Sequence, residues 1–114
     1  RSIAAVLRYA RSKSISEKTP YTFNFNIDTN QYWINNIETE KSSEVKQLDS
    51  GLKIVRFVDS DEEVETGPFY IVFYPYGNSS GGEILIETTK GKEKTRYNII
   101  LDPVTGKPNV EIER

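Results

Sequence analysis

The chain has 114 residues and contains no histidine, no cysteine and no methionine. Without His or Cys, Ser-His-Asp and Cys-His nucleophilic sites are impossible. Structural zinc sites of the usual ligand sets and thiol redox chemistry are excluded as well. Catalysis would be left to carboxylates, lysine, tyrosine or a hard metal on oxygen ligands. The absence of Cys is compatible with either side of a membrane. The sequence has no apolar run long enough to cross a bilayer. It has no excess of one charge either: 15 Lys and Arg stand against 17 Asp and Glu, a net of -2. That balance leaves no electrostatic footprint for a nucleic acid. The chain opens at Arg1 rather than Met, so further residues are expected upstream, and any targeting segment would lie among them.

What is present suffices for one domain over 1–114, because a chain of this size buries roughly two-thirds of its unfolded surface. Its first 19 residues read as a helix and residues 20–114 as a β-rich part. Ser2 is placed to cap the helix, and Ile3, Val6, Leu7, Ala10 and Ser14 recur at helical spacing on one face. Arg8, Arg11, Ser12 and Lys18 lie largely away from that face. Pro20 ends the helix, since a residue before proline avoids helical backbone angles. The stripe is narrow and built of small residues, which suits packing on one flat surface.

After Pro20 the period changes to two. Tyr21, Phe23, Phe25 and Ile27 alternate with Thr22, Asn24, Asn26 and Asp28, giving a strand with one aromatic and one amide-rich face. Asp28-Thr29-Asn30 is turn chemistry, and Gln31 to Ile37 returns as a hairpin partner. The lone Trp33 is assigned to the core, with a ligand platform as the alternative. Glu38 to Gly51 is a long polar loop or a weak edge strand. Leu52 to Val58 is a strand, followed by an acidic loop over Asp59 to Glu65. Phe69 to Tyr74 is almost wholly apolar or aromatic, which predicts a central strand covered on both faces. Glu83 to Thr89, Lys94 to Leu101 and Asn109 to Ile112 complete roughly seven strands joined by short turns. The fold class is therefore α+β: an amphipathic helix on antiparallel sheets in a sandwich-like arrangement.

Several segments invite functional readings. The acidic loop offers oxygen ligands to calcium, but it lacks the EF-hand order of residues, and a solvated loop is the plainer reading. Gly77, Gly81 and Gly82 punctuate a turn that resembles a phosphate cradle only in glycine content. Glu83 stands where a Walker loop needs its cation, so the glycines are assigned to positive backbone angles at a sheet corner. Lys92, Lys94, Arg96 and Tyr97 interleave charge with an aromatic ring, as in single-strand binding surfaces. The plainer reading is an exposed strand protected by lysines, and Glu111 and Glu113 beside the ending Arg114 argue against a polyanion partner there. No spacing of acids selects a pair for glycoside hydrolysis. No catalytic residue, metal site or cofactor is assigned.

Three segments resemble one family in order. Leu7-Arg8-Tyr9-Ala10-Arg11-Ser12-Lys13-Ser14-Ile15-Ser16 is similar to the opening of the GspH/FimT family of minor pseudopilins and type IV pilin-like proteins. Phe73-Tyr74-Pro75-Tyr76-Gly77-Asn78-Ser79-Ser80-Gly81-Gly82-Glu83-Ile84 resembles its glycine-rich signature. Ile99 to Lys107, with Asp102-Pro103-Val104-Thr105-Gly106-Lys107, is similar to its closing turn. Lys13 and Ser14 depart from the family pattern, and Asn35 to Gly67 matches nothing in it.

The resemblance implies a non-enzymatic subunit of a type II secretion pseudopilus. It implies other pseudopilins as partners, a periplasmic location and an inner-membrane anchor through an apolar segment ahead of Arg1. Ile3, Ala4, Val6, Leu7 and Ala10 would pack partly on the sheet and partly on neighbouring subunits, with Ala4 and Ala5 small enough for close helix approach. No nucleic acid and no small-molecule substrate are expected, and the chain in hand is expected to be monomeric. The alternatives are a minor pilin of a type IV pilus, possibly one used in DNA uptake, and a secreted calcium-dependent binding module.

Overall fold

A computed structural model describes residues 2–112; Arg1, Glu113 and Arg114, and with them the expectation drawn from the last two, lie outside the described residues. The helix α1 runs Ile3–Glu17. The Ser2 side chain accepts the Ala5 N–H at 3.2 Å, which satisfies one of the orphan donors of the first turn. Lys18 adopts left-handed angles and ends the helix two residues before Pro20.

Among the described residues nine strands follow: β1 Tyr21–Asn26, β2 Gln31–Asn36, β3 Lys46–Gln47, β4 Leu52–Val58, β5 Glu63–Val64, β6 Pro68–Phe73, β7 Gly82–Lys90, β8 Glu93–Leu101 and β9 Pro108–Ile112. They form a four-stranded sheet in the order β3-β2-β1-β6 and a five-stranded sheet in the order β5-β4-β7-β8-β9. Each pairing is antiparallel. The fold is α+β, one helix packed on two antiparallel sheets, as the residue periods predict.

Alternation builds the core. In the first sheet Phe23 pairs with Ile34 on one side and Ile71 on the other, and Phe25 pairs with Tyr32 and Phe69, so one face is continuously apolar. The second sheet answers with Ile54, Phe57, Ile84, Ile86, Ile99 and Leu101. Phe57 and Phe69 join the sheets through rings stacked 4.4 Å apart and 4° from parallel. The helix closes the cluster, lying on β1 and β6 of the first sheet and against β9 of the second.

Three readings are corrected. β6 is an edge strand of its sheet, not a central one, and Tyr70 on its outward face is 62% exposed. Its run of apolar letters hides an ordinary alternation, because tyrosine can face water with its hydroxyl. Trp33 is outside the core: it is half-buried on the outward face of β2, in register with Asn24. Strand period puts it out of phase with Tyr32 and Ile34, which face inward. Finally, the acidic loop contains a two-residue strand, β5, that no run of apolar residues announces, whereas Glu38 to Gly51 holds the weak edge strand, one of its two readings, as β3. Leu48, buried to 3% exposure, anchors the latter segment.

Candidate assembly site

The signature segments converge on the helix. Arg11 reaches across from α1, and its Nε–H is shared between the carbonyl oxygens of Gly77 at 3.0 Å and Thr105 at 2.9 Å. Gly77 belongs to the turn between β6 and β7, and Thr105 to the turn between β8 and β9. The two turns also bond each other: Ser79 donates its N–H to the Pro103 carbonyl at 2.9 Å, and its hydroxyl donates to the Asp102 carbonyl at 3.3 Å. That hydroxyl accepts the Gly81 N–H at 3.0 Å. Asp102 shapes its own turn by accepting the Val104 N–H at 2.8 Å.

Gly77, Gly81 and Gly82 have φ of 93°, 74° and 128°, the positive angles expected of a sheet corner. At two of them space matters as much as angle. A Cβ on Gly77 would lie 2.8 Å from the Arg11 guanidinium, and one on Gly82 would lie 2.6 Å from the Phe57 ring. The glycines therefore admit the arginine clamp and the inter-sheet aromatic pair.

Further along the helix, the buried Ser14 hydroxyl bonds the Thr19 carbonyl at 2.7 Å and the Phe73 carbonyl at 3.0 Å. The family departure at Ser14 is thus a specific tie between helix and β6. At the last turn, Glu17 accepts the Tyr21 hydroxyl at 2.6 Å and the Asn36 amide at 3.2 Å, and it meets Lys13 at 2.5 Å. Lys13, through this bond, and then the Tyr21 hydroxyl hold the Glu17 carboxyl below its ordinary value. The same contact with Glu17 raises Lys13. Burial, reinforced by Glu17, raises the Tyr21 phenol.

The five helix residues expected to pack partly on the sheet and partly on neighbouring subunits, Ile3, Ala4, Val6, Leu7 and Ala10, are each at most 7% exposed. Their side chains are occupied in the chain's own core. The helix surface left open is a different one, carrying Arg8, Ser12, Ile15 and Ser16, while Ala5 is half-buried between the two faces. Beside it, the clamped turns display Tyr76 and Val104, 99% and 81% exposed. The periodicity of the sequence could not find these two, because each sits in a turn. The tyrosine inside a glycine-rich turn was the available signal.

The acidic segment folds as a hydrogen-bonded turn: Asp59 Oδ1 accepts the N–H groups of Asp61 and Glu62 at 2.8 and 2.9 Å, and Glu63 pairs with Arg56. Among the described residues no group of three or more acidic side chains is arranged to hold a metal ion. Lys94 and Arg96, two of the three cations in the interleaved row, both turn to Glu87, which offsets one of their charges within the hairpin.

One helix packed on two antiparallel sheets is a fold known from solved pseudopilin and minor pilin structures. Two solved structures share it. The minor pseudopilin EpsH from the type 2 secretion system of Vibrio cholerae superposes with a TM-score of 0.69 at 9% identity, over 96% of this chain and 90% of that one. The type IV minor pilin FimU of Pseudomonas aeruginosa gives 0.60 at 14% identity, over 97% and 82%. A search of curated proteins finds no significant match. The profile of the family described as type II transport protein GspH matches residues 1–105, and the chain belongs to that family.

Proposed function

We propose that this chain is a minor pseudopilin, a non-enzymatic subunit of a type II secretion pseudopilus. The observation that carries this reading is the Arg11 clamp together with the family match. Segments spread over nearly the whole chain meet at one joint, and that joint fixes the helix to the sheets. A rigid joint is what a filament subunit requires, because force on the helix must reach the globular part without slippage. Family membership supports assembly with other pseudopilins, a periplasmic location and an inner-membrane anchor ahead of Arg1. Among the described residues no helix is long and apolar enough to cross a membrane. The open helix face and the Tyr76 and Val104 turns are the surface offered to neighbouring subunits. The 2–112 part alone is monomeric in this reading, since the open face is polar and its apolar side chains are scattered.

Deleting the gene in its host tests the reading. A secretion pseudopilin leaves exoproteins stranded in the periplasm and surface pili intact. Normal secretion with lost pili would make the chain a type IV minor pilin instead, the function of the second structural relative.

A further inference from the structure

Among the described residues the sheets end in β3, β6, β5 and β9. β3 and β5 are only two residues long. The edge of β6 is plugged: Ser80 donates its N–H to the Val72 carbonyl, and its hydroxyl accepts the Val72 N–H, each at 2.9 Å. β9 is longer, with five residues, and carries no such plug.

Its pairing with β8 fixes which backbone groups point outward. Asp102 donates its N–H to the carbonyl of Lys107, the residue opposite it, at 3.2 Å. Bonded and unbonded pairs alternate in an antiparallel ladder. Asn109 and Glu111 therefore bond Ile100 and Asn98, whereas Val110 and Ile112 oppose Ile99 and Tyr97 without bonding them. The N–H and C=O of Val110 face away from β8, and no group among the described residues bonds them. The Val110 side chain shares a face with the buried Ile99, yet Val110 is 48% and Ile112 67% exposed. The core face of the sheet runs out uncovered at this edge, and the edge is reachable.

Charge is ordered along it. At the start of β9, Arg8, Arg11, Ser12, Lys107 and Pro108 line a cavity of about 320 Å³, and no carboxylate joins them. The clamp uses only Nε of Arg11; its terminal nitrogens make no hydrogen bond among the described residues. Arg8 and Lys107 have no ion pair among them, and neither does Glu111 further along the strand. The edge thus presents a cationic cavity, then Val110, then a carboxylate, then Ile112.

We propose that β9 accepts an extended segment of another protein as an added strand, with an acid of that segment seated among Arg8, Arg11 and Lys107. Pro108 to Ile112 spans roughly 16 Å at about 3.3 Å per residue, which sets the segment at about five residues. Antiparallel pairing is the more stable. In that direction the segment sets apolar residues opposite Ile112 and Val110, Lys or Arg opposite Glu111, and Asp or Glu opposite Pro108. A second copy of β9 fits poorly. Centred on Val110, it sets the Ile112 carbonyl against Pro108, which has no N–H. Centred on Glu111, it sets two carboxylates face to face. The inference stands whichever filament the chain joins.

The test uses the ¹⁵N-labelled chain and the peptide acetyl-Val-Lys-Val-Thr-Glu-amide. Strand addition shifts the amide signals of Asn109 to Ile112 and the Arg11 Nε–H signal, and slows exchange at Val110 about tenfold at saturation. The peptide N-methylated at its middle valine fails to bind. Replacing its Glu by Lys weakens it severalfold, and so does Arg8→Glu, an exposed change that leaves the melting temperature unchanged. Silence up to about 1 mM peptide overturns the proposal. Equal binding of the methylated peptide overturns it too, since side-chain contacts would then suffice. So does inorganic phosphate reproducing every shift, which would leave an anion site without a strand. Exchange at Val110 that slows with chain concentration alone would make the occupant a second copy and overturn the assignment to another protein.

Discussion

Arg11 and Gly77 are 66 positions apart, yet the guanidinium Nε lies 3.0 Å from the glycine carbonyl and excludes any side chain there. A hydrogen bond from a charged donor in a half-buried place contributes about 1.5–3 kcal/mol. Arg11→Ala is expected to lower stability by about that amount in urea unfolding. Arg11→Lys recovers less than half of it, because lysine places a methylene where the donating Nε stands and its ammonium one bond beyond. If Lys restored full stability, the contact would be simple charge attraction.

Gly82→Ala is expected to cost about 2–4 kcal/mol, from overpacking against Phe57 and from backbone strain at φ 128°. Gly67 has φ 73° but no atom within 4 Å of an added Cβ, so Gly67→Ala costs about 1 kcal/mol. Thermal melts of the two variants separate crowding from backbone angle. Equal losses would remove crowding from the account.

The Glu17 network fixes both limbs of a pH profile. The carboxyl titrates below its ordinary 4.5 in the folded chain. Its contribution is complete above that value and fades as pH falls through the depressed one. The Tyr21 phenol titrates above its ordinary 10.0. Its contribution is complete below that value and is lost as pH rises through the raised one. Denaturation across pH should show Glu17→Gln flattening the acid limb and Tyr21→Phe the alkaline limb. Interchanged effects would contradict the assignment.

Trp33, being the sole tryptophan and half-buried on an outward face, reports that face. Its fluorescence is expected to be readily quenched by acrylamide. Trp33→Ala should cost less than about 1.5 kcal/mol, against the 3–5 typical of a buried aromatic. A blue-shifted, unquenched emission would place it back in the core.

The elements with a clear period were legible in sequence. The helix face from Ile3 to Ser14 and the alternation from Tyr21 to Ile27 each obey one repeat, so burial follows from counting. β6 failed the same test because tyrosine and valine fill its outward positions, and letters alone do not say which apolar residues face water. β3 was legible only as a weak edge strand without bounds and β5 was invisible, since two residues carry no period; their partners create them. The clamp was half legible. The glycines marked the turn, but Arg11 read as a solvent-facing charge, and its acceptors are backbone carbonyls that belong to no residue type. The helix stripe, expected to pack partly on the sheet and partly on neighbours, is buried in the chain's own core, and an apolar stripe looks the same whether its cover is internal or external.

The distances of Arg11 along the chain, 66 and 94 positions to its two acceptors, bear on how the molecule is made. Ribosomes deliver Arg11 of the helix 94 residues before the Thr105 turn. Until then the stripe from Ile3 to Ala10 has neither its aromatic bed nor its clamp. At about 5–20 residues per second, that leaves an adhesive helix uncovered for several seconds. That exposure ends when the hairpin carrying Thr105 docks.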